Sequence, residues 1–237
     1  MPLTLAELAA DVLQLQLTPH QEALFEVYGN ALTAWNEHTN LTAITASEDI
    51  RVRHFLDSLT VAEAVTLAPD MRLIDVGTGA GFPGLPLAIV FPELHVTLLE
   101  ATGKKIAFLD HVIQTLGLTN AVTLNARAED AGHMPDQRAA YDIVVARAVA
   151  RLPSLLEYLL PLAKVGGVCV AMKGRTAAEE SDDSRRALST LGGRLRPTVS
   201  VTLPGVNDPH HLIVVEKVAQ TPAAYPRKPG IPTRKPI

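Results

Sequence analysis

Apolar positions recur at helical spacing through residues 1–68 and then give way to short continuous runs. Leu24, Phe25, Tyr28, Leu32 and Trp35 fall on one face of a helix and form a core stripe. Thr18-Pro19-His20-Gln21 supplies its start, with a capping hydroxyl, proline at the first helical position and Gln at the third. Ser47, followed by Glu48 and Asp49, is expected to cap a further helix that carries Arg51, Arg53, His54 and Asp57. From Arg72 the runs "RLIDV" (72–76), "HVTLLE" (95–100), "AVTLN" (121–125), "YDIVVAR" (141–147) and "VGGVCVAMKG" (165–174) read as buried strands. Helical patterns lie between them at 83–91, 103–116 and 153–162. Such alternation predicts a doubly wound, mostly parallel α/β sheet with both faces covered. "RLRPTVSVTLP" and "HHLIVVEK" are joined by a loop and should form an antiparallel last pair. The segment "AYPRKPGIPTRKPI" is punctuated by proline and is expected to lack regular structure.

With 237 residues, 47% of them hydrophobic, the chain suits one substantial domain with a modest extension. The single cysteine, Cys169, excludes a disulfide framework and sits in a predicted strand as core. No apolar run is long enough to span a bilayer, and the first residues have acids but no basic leader, so a cytoplasmic protein is expected. No exposed heptad or extra apolar face is apparent, which makes a monomer the expectation. Nor does any spacing of His, Cys or carboxylates point to a metal. The net charge of −4 hides an asymmetry: residues 1–50 hold seven acids and no Lys or Arg, whereas residues 217–237 hold five bases and no acid. Arg227, Lys228, Arg234 and Lys235 in that tail are candidate phosphate contacts.

"LIDVGTGAGFPGLP" (73–86) lies between the first strand and its helix, the ligand edge of a parallel sheet. Gly77, Gly79 and Gly81 allow positive φ and close approach of a ligand, and Pro83 can start a helix whose amides point at it. Two parsings are open. Gly79-Ala-Gly81-Phe-Pro-Gly84 satisfies the dinucleotide GxGxxG pattern, and Gly77-Thr-Gly79-Ala-Gly81 gives GxGxG after an acidic strand end. Asp75 would repel a pyrophosphate and can organise the loop or meet a cationic ligand, while Pro83 and Pro86 stiffen the helix start. Both favour S-adenosylmethionine over NAD or FAD. Glu100, ending the second strand, suits a ribose diol in either case. Ala128 and Glu129 could flank an adenine. Arg147, at the end of the fourth strand, would stand beside the reactive end of the cofactor. Lys104, Lys105, Lys173 and Arg175 would make this edge positive and suggest a phosphate-bearing substrate.

"WNEHTNLTAITASEDIRVRHFLDSL" (35–59), the glycine loop, "ARAVARLPSLLEYLLPL" (146–162), "MKG" (172–174) and "YPRKPGIPTRKPI" (225–237) together resemble the bacterial glucose-inhibited division protein B family, the 16S rRNA guanine-N7 methyltransferases. The resemblance covers nearly the whole chain and keeps the order of five motifs. It implies a helical extension (1–68), a Rossmann-like S-adenosylmethionine methyltransferase domain (69–218) and a basic tail (219–237). It also implies that Gly77, Phe82, Ala128, Glu129 and Arg147 contact the cofactor. The implied target is a guanine in the decoding-region loop of 16S rRNA, alone or in the small ribosomal subunit.

Guanine N7 carries an in-plane lone pair and no proton, so no general base is expected and in-line positioning should dominate. N7 lies beside O6 on the edge that Arg usually reads, which makes Arg147 the candidate for orienting the guanine or its phosphate. Arg51, Arg53 and His54 are weaker RNA-binding candidates, and His54 reads more readily as a satisfied structural histidine. Three other readings compete. One is a methyltransferase acting on tRNA, protein or a small molecule. Another is a dinucleotide-dependent oxidoreductase using Gly79, Gly81 and Gly84, and the last is a non-catalytic RNA-binding assembly factor.

Overall fold

The first two helices start at side-chain caps. In the computed structural model, which describes residues 3–237, α1 (Leu5–Leu13) opens on a capping box between Thr4 and Glu7. The predicted box between Thr18 and Gln21 opens α2 (Pro19–Thr39), with proline at its first turn. Ser47 does not cap: it is already the first residue of α3 (Ser47–Ile50), and Ala46 precedes it with no side-chain bond. From α3 the chain winds through a π-helical stretch, Arg51–Leu56, into α4 (Asp57–Leu59) and α5 (Val61–Ala64). Wide turns of this kind often mark functional sites, and this one carries Arg53 and His54.

The apolar runs from Arg72 become strands, buried on both faces at the centre of the sheet, while the edge run 121–125 leaves Val122 exposed. β1 (Arg72–Val76), β2 (His95–Glu100), β3 (Ala121–Asn125), β4 (Tyr141–Arg147) and β5 (Ala163–Lys173) pair in parallel in the order β3-β2-β1-β4-β5. The sequence "RLRPTVSVTLP" is two short strands rather than one, β6 (Gly193–Leu195) and β7 (Val199–Val201), with Pro197 in the gap because it cannot donate to a ladder. Both line one edge of β8 (His210–Lys217), which pairs antiparallel with β5 as expected. Chain order reverses between β1 and β4, and ligands in such sheets bind outside the carboxyl ends at that point.

Helices α6 (Gly84–Val90) and α7 (Gly103–Leu116) cover one face of the sheet. Across the sheet, α9 (Leu152–Leu159) and α11 (Arg185–Leu191) pack on the other; α8 (Ala128–Ala131) and α10 (Ala177–Asp183) are short connectors. The extension has no core of its own: Phe25, Tyr28, Leu32 and Leu56 are buried with Leu85, Leu98 and Phe108 in one cluster. Trp35 packs on Phe108 with ring centres 5.6 Å apart. Cys169 is buried core, its thiol pushed up to about 12 by burial. The segment expected to be irregular contains a helical turn, α12 (Ile231–Arg234). Lys217, the last residue of β8, is fully buried, its ammonium donating to the Leu160 carbonyl at 2.6 Å.

Candidate functional site

The glycine loop is built from within. Asp75 is fully buried, and its Oδ2 accepts from the Thr78 hydroxyl at 2.6 Å and the Gly84 amide at 2.8 Å. Burial pushes its carboxyl up to about 6 against those two bonds. Of the two roles open to it, organising the loop is the one this geometry serves. The α6 amides, expected to face a ligand, are consumed internally: Gly84 by Asp75, Leu85 by the Gly81 carbonyl and Leu87 by Pro83, while Pro86 has none. A pyrophosphate docks on such amides. The helix start therefore offers a dinucleotide nothing to bind, and the GxGxxG parsing falls.

The three loop glycines serve different ends. Gly77 and Gly79 have φ of +69° and +63°, and the space beside Gly79 is open. Gly81 makes room for protein instead, because a Cβ there would stand 2.6 Å from the Tyr28 hydroxyl and 2.4 Å from Leu85 Cδ1. Tyr28 donates to the Ala80 carbonyl at 2.5 Å, so α2 of the extension is bonded to the loop itself. Phe82, implied as a cofactor contact, is buried: its ring stacks on His54 at 4.4 Å and on Tyr28 at 5.4 Å.

A cleft of about 260 Å³ opens where Gly77, Glu100, Ala128, Glu129 and Val149 converge, which brings four of the nine expected cofactor residues together; Asp75, Gly79, Gly81, Phe82 and Arg147 do not line it. Glu100 accepts from the Gly79 amide at 3.2 Å and the Thr102 amide at 2.8 Å, with Lys105 at 3.8 Å. The remaining wall, Tyr158, Gly230 and Thr233, carried no signal in the sequence. It exists because residues 225–235 fold back over α9. Glu157, fully buried, accepts from the Arg227 backbone amide at 2.6 Å and takes its guanidinium in a fork at 2.6–3.1 Å. Ser154 donates to the Pro232 carbonyl at 2.9 Å, Tyr158 and Thr233 share a hydrogen bond at 3.0 Å, and the Gly230 amide reaches Glu129 at 3.0 Å. Arg227 is thus a structural clamp and not a free phosphate contact.

On the other side of the β4 end lies a second cavity, of about 620 Å³. Residues Arg147 and Ala148 line it, whereas Val149 and Ala150 line the first, so one short loop is the wall between them. Ala148 holds a φ of +56°, a conformation rare for a residue with a Cβ. Arg147 is wired to the extension: Nη1 donates to Asp57 Oδ2 at 2.8 Å and the Arg53 carbonyl at 2.9 Å, and Nη2 meets His54 Nδ1 at 3.1 Å. Its guanidinium also lies 5.0 Å from the centre of the Phe82 ring. Asp57 and His210, at 3.0 Å from one another, complete this cluster and were not among the expected site residues. Burial would raise the Asp57 carboxyl, but the bonds from His210 and Arg147 hold it below its ordinary value.

An arginine only donates, so His54 must accept on Nδ1 and carry its proton on Nε2, which faces Thr42 Oγ1 at 2.8 Å. The ring is therefore neutral, and burial together with Arg147 lowers its pKa to about 4. The structural reading of His54 accounts for every polar atom. Because this pKa is depressed on folding, its contribution is complete above about pH 6.5 and is lost as pH falls towards 4, by up to about 3 kcal/mol. Denaturant unfolding of the wild type and His54→Gln checks this. The advantage of the wild type should shrink by that amount from about pH 7 to about pH 4, and a constant difference would refute it.

Of the other expected RNA contacts, Arg53, Lys173 and Arg175 border this second cavity, each in an ion pair, and the rest lie elsewhere. Lys173 is mostly buried, bonded to Glu180 at 2.8 Å and the Ala150 carbonyl at 2.5 Å. Arg175 is exposed and paired with Asp208 at 2.5 Å, and Arg53 with Asp49 at 3.1 Å. Arg51 reaches the Leu3 carbonyl at 2.9 Å in a groove between α1, α2 and α3. Lys104 at the start of α7, and Lys228, Arg234 and Lys235 beside the first cleft, are solvent-facing. Among the described residues, no group of three or more His, Cys, Asp or Glu is placed to hold a metal, and no helix is long and apolar enough to cross a membrane.

A reversed parallel sheet, a glycine loop without free helix amides and a carboxylate at the end of β2 define a Rossmann-like S-adenosylmethionine-dependent methyltransferase. The fold agrees with a SAM dependent methyltransferase from Aquifex aeolicus, which superposes with a TM-score of 0.54 at 19% identity over 72% of this chain and 93% of that one. The chain belongs to the rRNA small subunit methyltransferase G (GidB) family, whose profile matches residues 21–208. It is 52% identical to the Ribosomal RNA small subunit methyltransferase G of Roseiflexus sp. (strain RS-1) over 94% of both chains. To the protein of the same name from Desulforamulus reducens it is 43% identical over 97% of this chain and 95% of that one.

Proposed function

We propose that this chain methylates N7 of a guanine in the decoding-region loop of 16S rRNA, with S-adenosylmethionine in the cleft at Gly77 and the guanine in the cavity at Arg147. The observation that carries this reading is the shared wall: two cavities meet across residues 147–150. The residues fit the cofactor. Gly79 leaves backbone open to a nucleoside, Glu100 and Glu129 supply acceptors for hydroxyl and amino groups, and the amides at the start of α6 are already bonded within the protein.

The cofactor supplies an electrophilic methyl on a cationic sulfur. Transfer of that methyl to N7 would leave the carbon–sulfur electron pair on sulfur, so the chain would need no group to take up a proton. The cavity suits such chemistry, since both its carboxylates are committed, Asp57 to Arg147 and Asp208 to Arg175. What the chain contributes is alignment: Arg147, fixed from three directions, holds the wall against which both partners must rest. The protein acts in the cytoplasm, as a monomer, on rRNA or on the assembling small subunit.

Mapping N7-methylguanine in 16S rRNA by reduction and strand scission, in cells with and without the gene, tests the acceptor. An unchanged map would remove 16S rRNA and leave another acceptor as the reading. Neutralising Lys228, Arg234 and Lys235, but not the clamped Arg227, should reduce the slope of log affinity against log salt by about 2. A slope that does not move would make the tail a wall of the cofactor cleft and nothing more.

A further inference from the structure

Charges bordering the acceptor cavity are matched one to one until Asp57 is reached. Arg53, Lys173 and Arg175 each have their own carboxylate, in Asp49, Glu180 and Asp208. Asp57 has to serve two groups, Arg147 on Oδ2 at 2.8 Å and His210 Nδ1 on Oδ1 at 3.0 Å. A carboxylate only accepts, so it fixes a proton on His210 Nδ1 and leaves Nε2 as the remaining nitrogen of the ring. Among the described residues Nε2 has no hydrogen-bond partner, and the side chain is 27% exposed on the cavity wall. One carboxylate cannot neutralise both a guanidinium and an imidazolium. With His210 protonated, the wall carries one positive charge in excess.

We propose that His210 anchors a backbone phosphate of the RNA acceptor through Nε2, with Asp57 as the positioning residue that sets the ring. This rests on the reading of RNA as acceptor. A phosphodiester offers anionic oxygens and no proton, so it pairs with this nitrogen only while the nitrogen bears hydrogen. The groups facing the ring favour that state on balance. The hydrogen bond that His210 donates to Asp57 raises its proton affinity, burial and Arg147 oppose it, and Asp208 adds to the rise. Of the two other imidazoles at the cavity, His54 is held neutral by Arg147 and cannot take this role, and His211 has its Nδ1 engaged with Ser200 Oγ at 3.0 Å. The anchor sits at the start of β8, beside β7 and bonded to Asp57 of the extension, so it holds the strand bearing the guanine through its backbone and not through the base itself.

The test is steady-state methylation of small ribosomal subunits by wild type, His210→Gln and His210→Arg from about pH 6 to about pH 9, with cofactor affinity measured alongside by calorimetry. In the wild type, KM for the subunit should rise as His210 loses its proton, while kcat and cofactor affinity hold. His210→Gln should raise KM about 10-fold at the acid end, flatten its pH profile and lower the salt slope by about 0.7–0.9. His210→Arg should restore a low KM that no longer depends on pH. Asp57→Asn should move the wild-type transition to lower pH. A His210→Gln enzyme with unchanged KM and salt slope overturns this inference alone. Should that variant fail to fold, a flat wild-type profile or a weakly binding His210→Arg overturns it equally. A wild type that binds S-adenosylmethionine yet methylates no rRNA overturns the acceptor, and this inference with it.

Discussion

Gly77→Asp is expected to weaken S-adenosylmethionine binding by more than about 100-fold, close to 3 kcal/mol, while leaving the chain folded. A Cβ at Gly77 would stand 2.8 Å from Val149 Cγ2, and Val149 is part of the wall shared with the acceptor cavity. The φ of +69° adds a backbone penalty, though Asp bears this conformation better than most residues. The added carboxylate is the larger effect. It would stand in a cleft that already holds Glu100 and Glu129, and it would fill the space that the nucleoside needs. Gly77→Ala separates these contributions, since it keeps the steric push and lacks the charge, and should lose about 10-fold. Isothermal calorimetry measures both. Binding of the Asp variant within about threefold of wild type would place the cofactor elsewhere.

Arg147→Ala carries the largest expected cost in stability, about 3–5 kcal/mol. The substitution strands Asp57, which is 5% exposed, with His210 as its remaining partner, and it removes the donors to the Arg53 carbonyl and to His54. For a chain of this size the melting temperature should fall by about 10 °C in scanning calorimetry. Arg147→Lys keeps the charge but loses the fork, since one ammonium cannot reach three acceptors set around a plane, and should recover less than half of the loss. A decrease below about 1 kcal/mol for the Ala variant would mean that the bond to Asp57 is as weak as an exposed ion pair.

How far the fold could be read depended on whether a signal was local. The capping box at Thr18, the parallel strands and the antiparallel return of β8 are written in neighbouring residues. The glycine loop was legible as a nucleoside loop because Asp75 and the prolines lie inside it. What each glycine was for was not, since Gly81 answers to Tyr28, 53 residues earlier in the chain. Arg227 shows the same limit. Its basic surroundings read as a phosphate contact, and only the fold brings it to Glu157, buried on α9. Asp57 and His210 are 153 positions apart, and nothing near either one marks them as partners.

The single loop that separates the two cavities has a consequence for how the partners arrive. Whatever filling one side does to residues 147–150 is felt on the other side, because the same atoms bound both. Thermodynamic reciprocity then fixes the relation: the factor by which the methyl donor alters the affinity for RNA is the factor by which RNA alters the affinity for the donor. The demethylated cofactor lacks both the methyl group and the positive charge, and need not share that factor. With cofactor and guanine placed as proposed, exchange of spent for fresh cofactor would be coupled to release of the methylated RNA through a partition four residues long.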